Sequence, residues 1–290
     1  VKIGLSLPLD YLTGTPVRPG SQLLAKALGE PYNALALLQK HGVDSVELQR
    51  IGISAPPTEV LDAVQCILDT GLHLTIHGTL VRDAEGQSLS AQYPHLLPVL
   101  QYLREQQQET ILVVHAHANT QSSTFRLLVA TVHSIVHLIH ECIKHKLPLK
   151  VGLEINRYHG RSDPGTTYEG LHEIAQRVNS PNLGFCWDMG HTQSSILQNM
   201  LPVSPPPAFL ENVIHTHVHG IAPDGDTHWP LIDSFSHIRE GIQQLKAYGY
   251  SGTYNLELYP ERWGQVLLVS KGVLDSIDIL CDLLMEEGIL

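Results

Sequence analysis

Six residues able to bind a metal or move a proton recur along this chain at nearly even intervals. They are His77, His115, Glu154, Asp188, His217 and Glu257, and the steps between them are 38, 39, 34, 29 and 40 residues. Each closes or nearly closes a short β-rich run, as in Ile76-His77-Gly78, Val113-Val114-His115, Leu153-Glu154-Ile155-Asn156, Cys186-Trp187-Asp188, His215-Thr216-His217-Val218-His219 and Leu256-Glu257-Leu258-Tyr259. Imidazole mixed with carboxylate suits Zn²⁺ or Mn²⁺, whereas Ca²⁺ prefers oxygen alone. Any one of these residues by itself reads as a core ion pair or a satisfied buried histidine. Six in order point to a shared site.

The elements that would position them follow from hydrophobic patterning. Strands are expected at Lys2–Leu7, Ser45–Gln49, His73–His77, Thr110–His115, Lys150–Asn156, Leu183–Asp188, Val213–His219 and Thr253–Tyr259. Helical periodicity falls between them at Asn33–His41, Thr58–Thr70, Pro94–Gln107, Thr124–His145, Tyr168–Val178, Ser234–Ala247 and Gln265–Glu286. The sixth crossover is less regular, with Ser194–Met200 followed by a proline run, Pro202–Pro207, that must be a loop. Strand alternating with helix implies parallel strands and crossovers. Eight units in 290 residues fit one (β/α)8 TIM barrel domain over 1–290. An open doubly wound sheet is the rival, but no GxGxxG turn follows the first strand. Gly42, Gly71 and Gly249 each stand between a helical pattern and the next strand, where a left-handed residue ends a helix. In a barrel, chemistry gathers where strands end. A carboxylate between two leucines, as at Glu257, faces away from them. With those leucines against helices, Glu257 points inward, where a charge is costly unless paired or metal-bound.

Composition narrows the classes. Lys and Arg total 18 against 29 acidic residues, a net charge of −11, and no basic stripe suggests a nucleic-acid surface. No apolar run reaches the roughly 20 residues that span a bilayer, and Val1–Leu9 reads as a strand, not a signal peptide. Cys66, Cys142, Cys186 and Cys281 lie far apart, which suits reduced thiols in the cytoplasm. Histidine is abundant, at 18 residues, so position must separate ligands from the rest. His215, His217 and His219 share one strand face and cannot all bind one ion. His217 is favoured, with His219 in reserve, and His115 is favoured over His117. His133, His137, His140 and His145 lie on a long helix and read as exposed or partly packed. Glu47, near the end of strand two, is placed either against substrate or behind a ligand. Arg157, His159 and Arg161, in the loop after Glu154, could meet a phosphate or carboxylate, but a solvated loop is the favoured reading. Tyr259 and Trp263 could form an apolar wall.

With these residues in place, the chain resembles the xylose isomerase-like barrel superfamily over essentially its whole length. That group includes sugar isomerases, epimerases, inosose dehydratases and endonuclease IV-type repair enzymes. The most specific match is Gly184-Phe185-Cys186-Trp187-Asp188-Met189-Gly190-His191, the strand-six pattern of Asp, two residues, His. The resemblance implies a four-ligand metal site of Glu154, Asp188, His217 and Glu257, with His191 contacting substrate or a further ion. The endonuclease pattern asks in addition for His on strands three and four and an Asp-x-His, matched here by His77, His115 and Asp226-Thr227-His228. That would raise the count from one core ion to two or three. The same pattern expects a His-containing segment and paired glycines after strand one, which Gly4–Asp10 does not match. The loop Gly78–Asp83 does not look DNA-contacting, and the loop after His217 is short.

The leading expectation is therefore a metal-dependent isomerase or epimerase of a sugar, sugar phosphate or polyol. Glu154 and Glu257 would transfer the proton through an enediolate, His191 would hold a substrate oxygen, and Glu47, Arg157 and His219 would touch substrate. A multi-zinc phosphodiesterase is the second expectation and a non-catalytic metabolite-binding barrel the third. Partners are expected to be a carbohydrate-like small molecule and a second copy of the chain, with nucleic acid and membrane disfavoured.

Overall fold

Eight parallel strands close on themselves with crossovers between them. A computed structural model describes residues 1–82, 86–158, 160–232, 235–263 and 266–290, the side chains of 266 and 267 apart. The strands are β1 (Lys2–Pro8), β2 (Ser45–Gln49), β3 (His73–His77), β4 (Thr110–Val114), β5 (Leu149–Glu154), β6 (Leu183–Asp188), β7 (Val213–Val218) and β8 (Thr253–Leu256). They pair in sequence order, β8 closes on β1, and every ladder is parallel. This is the (β/α)8 TIM barrel expected of the alternating pattern.

Side-chain alternation sorts the two faces of each strand. Glu47 on β2 reaches His215 and His217 on β7, which are not neighbouring strands, so that face is the barrel interior. Val46 and Leu48 then face the helices, where both are wholly buried. The interior of the rim is polar and the layer between sheet and helices is apolar. Burial of the second layer drives folding, and the first layer is left to be satisfied by specific partners.

The first and sixth crossovers differ from expectation. The first holds Leu9–Leu12, Pro19–Leu28 and Pro31–Lys40, not the last of these alone. Pro19 sits in the first turn of its helix, where its missing N–H costs nothing, so a sequence that reads as a loop-forming Pro-Gly is a helix start. In the sixth, the helix is Met189–Leu197 and begins directly at the strand end, because Asp188 caps it. Residues 202–206 form the expected loop, but Pro207 opens a short helix to Leu210. Strands β4, β7 and β8 stop one to three residues early, which places His115, His219 and Glu257 just past the last ladder residue. Glu257 N–H still donates to Val218 O at 3.1 Å, so its position remains strand-like.

The helix Thr124–Lys144 is long and apolar enough to span a membrane by composition alone. Here it is the crossover between β4 and β5, and Leu127, Leu128, Ile135, Leu138, Ile139 and Cys142 are buried in the fold. Of its histidines, His137 contacts Gln87 O at 2.8 Å, while His140 is largely exposed beside Glu141.

Candidate metal centre

Register decides which rim residues meet. Glu154 pairs with Cys186, and Asp188 pairs with His217, which pairs in turn with Asn255. Glu154 is the hub and is wholly buried. Its Oε2 lies 3.1 Å from His77 Nε2 and 3.4 Å from His115 Nε2. Its Oε1 lies 3.3 Å from His191 Nδ1 and 3.5 Å from His217 Nδ1. Glu257 Oε2 approaches the same His217 nitrogen at 3.3 Å, and His228 Nε2 at 3.3 Å. Asp188 reaches His191 Nδ1 at 3.1 Å, His217 Nδ1 at 3.9 Å and His219 Nε2 at 3.0 Å.

Local structure explains this convergence. Asp188 accepts the backbone N–H of His191 at 2.6 Å, so one carboxylate ends a strand, caps a helix and aims His191 inward. Gly190 lies between them because a side chain there would strike His219: an added Cβ would stand 1.9 Å from its Cε1. Gly190→Ala is expected to force His219 aside and destabilise the fold by about 1–3 kcal/mol, as overpacking does. Urea unfolding of the variant checks this, and an unchanged midpoint would refute it.

Glu47 lies behind His217. It is wholly buried, accepts from Ser6 Oγ at 2.8 Å, and meets His215 Nε2 and His217 Nε2 at 3.1 Å each. The opposite ring nitrogen of His217 faces Glu154 and Glu257. Glu47 therefore stands behind His217, whose imidazole lies between it and the other two carboxylates. Such a carboxylate fixes the tautomer and orientation of the ring. Glu47→Gln is expected to weaken metal binding about tenfold or more while leaving the fold intact. Competition with a chelator measures it, and unchanged affinity would remove this role.

Electrostatics follow from three carboxylates sharing a dry site. Burial alone would raise each pKa, but the imidazoles reverse this. His115 and His217 hold Glu154 well below the ordinary range, His217 and His228 do so for Glu257, and His191 and His219 lower Asp188. The imidazoles respond unequally. Burial opposes protonation of His77, yet Glu154 wins and lifts its pKa to about 9. His217 and His191 are also raised against burial, by Glu47, Glu257 and Glu154 in the first case and by Asp188 and Glu154 in the second. Burial and the neighbouring imidazoles push His228 down to about 4. His115 is lowered by burial, against the pull of Glu154.

The donor set fits a divalent cation. Glu154 Oε1, His191 Nδ1 and His217 Nδ1 are buried, have no hydrogen-bond partner and converge. Two ligands about 2.0–2.2 Å from one ion stand roughly 3.0–3.5 Å apart, which is the spacing seen between these atoms. Without an ion, protons on the imidazoles must balance the carboxylates; with one, the cation takes their place. Ligand atoms also gather within 4.8 Å in two flanking groups, His77 with His115 and Glu154, and Asp188 with His191, His219 and His228.

The structure thus brings together Glu154, Asp188, His217, Glu257, His77, His115, His191 and His228. It gives Asp226 different partners, Arg262 Nη1 at 2.7 Å and Arg157 Nη1 at 3.5 Å. His219, expected against substrate, is wholly buried against Asp188. His219 Nδ1 lies 3.0 Å from both the His228 backbone N–H and Gly220 O, while its Nε2 faces Asp188. His117 turns away to Ser134 at 2.9 Å. His159 lies outside the described residues, as does Asp83. Sequence reasoning did not assign His215, behind Glu47, or Cys186, whose sulfur groups with Glu154 and His217. Strand alternation with Asp188 could have found Cys186. Tyr259 is more than a wall: its hydroxyl donates to Glu257 Oε1 at 3.0 Å and its ring stacks on His228 at 3.9 Å.

The chain is a closed parallel barrel with His, Asp and Glu gathered at its C-terminal rim. It belongs to the xylose isomerase-like TIM barrel family, whose sequence model matches residues 35–281. An uncharacterized protein of Methanocaldococcus jannaschii is 30% identical over 116 residues, a match spanning 38% of this chain and 36% of that protein. Among solved structures, a D-tagatose 3-epimerase-like protein superposes with TM-score 0.65 at 18% identity, covering all of both chains. The IolI protein with a bound zinc atom gives 0.65 at 14% identity, covering 99% of each. D-allulose 3-epimerase from Methylomonas sp., in complex with D-allulose, gives 0.59 at 12%, covering 98% of this chain and 97% of that one. At these identities the likeness is one of fold.

Proposed function

We propose that this chain is a divalent-metal-dependent isomerase or epimerase of a hydroxy-carbonyl sugar. One observation carries the reading: two buried carboxylates held ionised, Glu154 and Glu257, both approach a single nitrogen of His217, at 3.5 and 3.3 Å. A carbon acid held between them can lose its proton to one carboxylate and regain one from the other. Tyr259 fixes the rotation of Glu257 through its hydroxyl. His191, aimed inward by the Asp188 cap, holds a substrate oxygen. When bound by Glu154, Asp188, His217 and Glu257, Zn²⁺ or Mn²⁺ would supply Lewis-acid polarisation of the substrate oxygens. The zinc of the IolI protein and the D-allulose of the Methylomonas epimerase support the metal and the substrate class. The four free cysteines support a cytoplasmic setting, and pairing of two copies is part of the reading.

The test is solvent exchange. Mn²⁺-loaded protein should move deuterium from water into a C–H bond of a ketose. No exchange with any of a panel of ketoses would sink the proposal. The second reading, hydrolysis of a phosphodiester, is favoured by one observation: His77 and His115 both lie on Glu154 Oε2 and form a second donor group beside the core. Nicking of abasic-site DNA by pure protein, lost in Glu154→Gln, would reverse the order of the two.

A further inference from the structure

Three arginines stand on the same rim as the carboxylates, from the loops after β2, β5 and β8. Arg262 is tied down: its Nη1 donates to Asp226 Oδ1 at 2.7 Å and to Thr227 O at 3.0 Å. Arg50 pairs with Glu261. Arg157 is different. Its Nη1 stands 3.5 Å from the same Asp226 oxygen, longer than the roughly 2.7–2.9 Å of a charge-assisted bond. Its Nε is buried and has no hydrogen-bond partner. Among the described residues Arg262 and Arg157 share one Asp226 oxygen, with Arg262 the closer, so the fork of Arg157 is the part left over.

The rim group is coupled to the reaction centre through one ring. Arg50 and Arg262 lie over Tyr259 at 4.6 and 5.1 Å from its centroid, and the Tyr259 hydroxyl donates to Glu257. Arg50 holds a left-handed backbone, φ 60°, which is uncommon for a non-glycine residue. An anion on these arginines would therefore lie one aromatic ring away from the carboxylate that moves a proton. A terminal group of a short sugar is separated from its reacting carbons by about that much.

We propose that Arg157, with Arg262 and Arg50, binds the phosphate of a phosphorylated sugar, an inference that rests on the isomerase reading. A carboxylate is planar and is served by one fork. Here guanidiniums come from the β5 side and the β8 side of the mouth, and a tetrahedral phosphate presents oxygens to both. Arginine, not lysine, is required at 157 because a planar guanidinium presents its two Nη groups to one phosphate in a fixed fork.

The experiment compares dissociation constants of Mn²⁺-loaded protein for fructose 6-phosphate, fructose and glucuronate by calorimetry, with deuterium exchange followed in parallel. Fructose 6-phosphate is expected to bind about ten- to hundredfold more tightly than fructose, the worth of hydrogen bonds to a charged group. Arg157→Gln should bring the ratio close to one. Arg157→Lys, which keeps the charge and side-chain length, should lose most of it too, so the subsite remains testable if one variant folds poorly. Equal affinity for the two ketoses, no measurable binding of either, a ratio unchanged in both variants, or tighter binding of glucuronate would each overturn the phosphate subsite. An abasic-site DNA duplex that outcompetes fructose 6-phosphate would overturn its assignment to a sugar. Phosphate preference without exchange into any ketose would instead remove the isomerase reading and leave the subsite standing.

Discussion

Glu154→Gln is expected to slow deuterium exchange into the ketose by at least about a thousandfold. Two effects combine in this residue. It is one of the two proton-transfer carboxylates, and general acid–base groups contribute about 10²- to 10⁴-fold. Each of its two oxygens also meets a pair of histidines, Oε2 with His77 and His115, Oε1 with His191 and His217. Glutamine keeps the shape but turns one acceptor into a donor and removes the charge that holds those imidazoles. Metal content should fall together with activity. By contrast Glu257→Gln leaves His77 and His115 their acceptor, so its metal loss should be smaller than that of Glu154→Gln. Exchange rates with elemental analysis of both variants measure this. Full metal occupancy and undiminished exchange in Glu154→Gln would dismiss the residue from the site.

The sequence made the barrel legible because each strand end carries its chemistry one βα unit after the last. Glu154, Asp188, His217 and Glu257 could be placed without coordinates for that reason. The depth of each side chain was not legible. His215, His217 and His219 share a face, and alternation says nothing about level. The structure sets His215 lowest against Glu47, His217 between Glu47 and the carboxylates, and His219 against Asp188. The resemblance implied Asp226 as a companion of His228 through an Asp-x-His pattern. Yet β8 brings Arg262 to Asp226, and Glu257 meets His228 instead. Such substitutions of partner arise from loops on different strands, and no local pattern records them. The helix Pro19–Leu28 was hidden for another reason, since a Pro-Gly pair that marks a turn also opens a helix when the proline takes the first helical position.

The second large effect concerns protons and metal competing for the same nitrogen. His77 Nε2 contacts Glu154 Oε2 at 3.1 Å, and its pKa is raised from 6.5 to about 9. A raised imidazole pKa contributes stability that is full below the unfolded value of 6.5 and is lost as pH rises through about 9. The metal-free protein should therefore lose stability across that window. A metal ligand must be deprotonated, so an ion bound at His77 displaces that proton. Across the two pH units from 7 to 9 the displacement becomes free of cost, and affinity should rise about a hundredfold. His228, with a pKa near 4, offers no such competition and adds no slope in this range. Titration with chelator-buffered Zn²⁺ at several pH values should show the rise in the native protein. His77→Gln should make the rise shallower, the remainder coming from His191 and His217, and, if His77 and His115 hold an ion of their own, reduce the metal count by one. Anomalous scattering at the zinc edge counts the ions directly. A flat pH dependence, or one peak among Glu154, Asp188, His217 and Glu257 with His77 unligated in excess zinc, would reduce the centre to a single ion. His77 and His115 would then be left to hydrogen-bond substrate hydroxyls, and the case for the isomerase over the phosphodiesterase would strengthen.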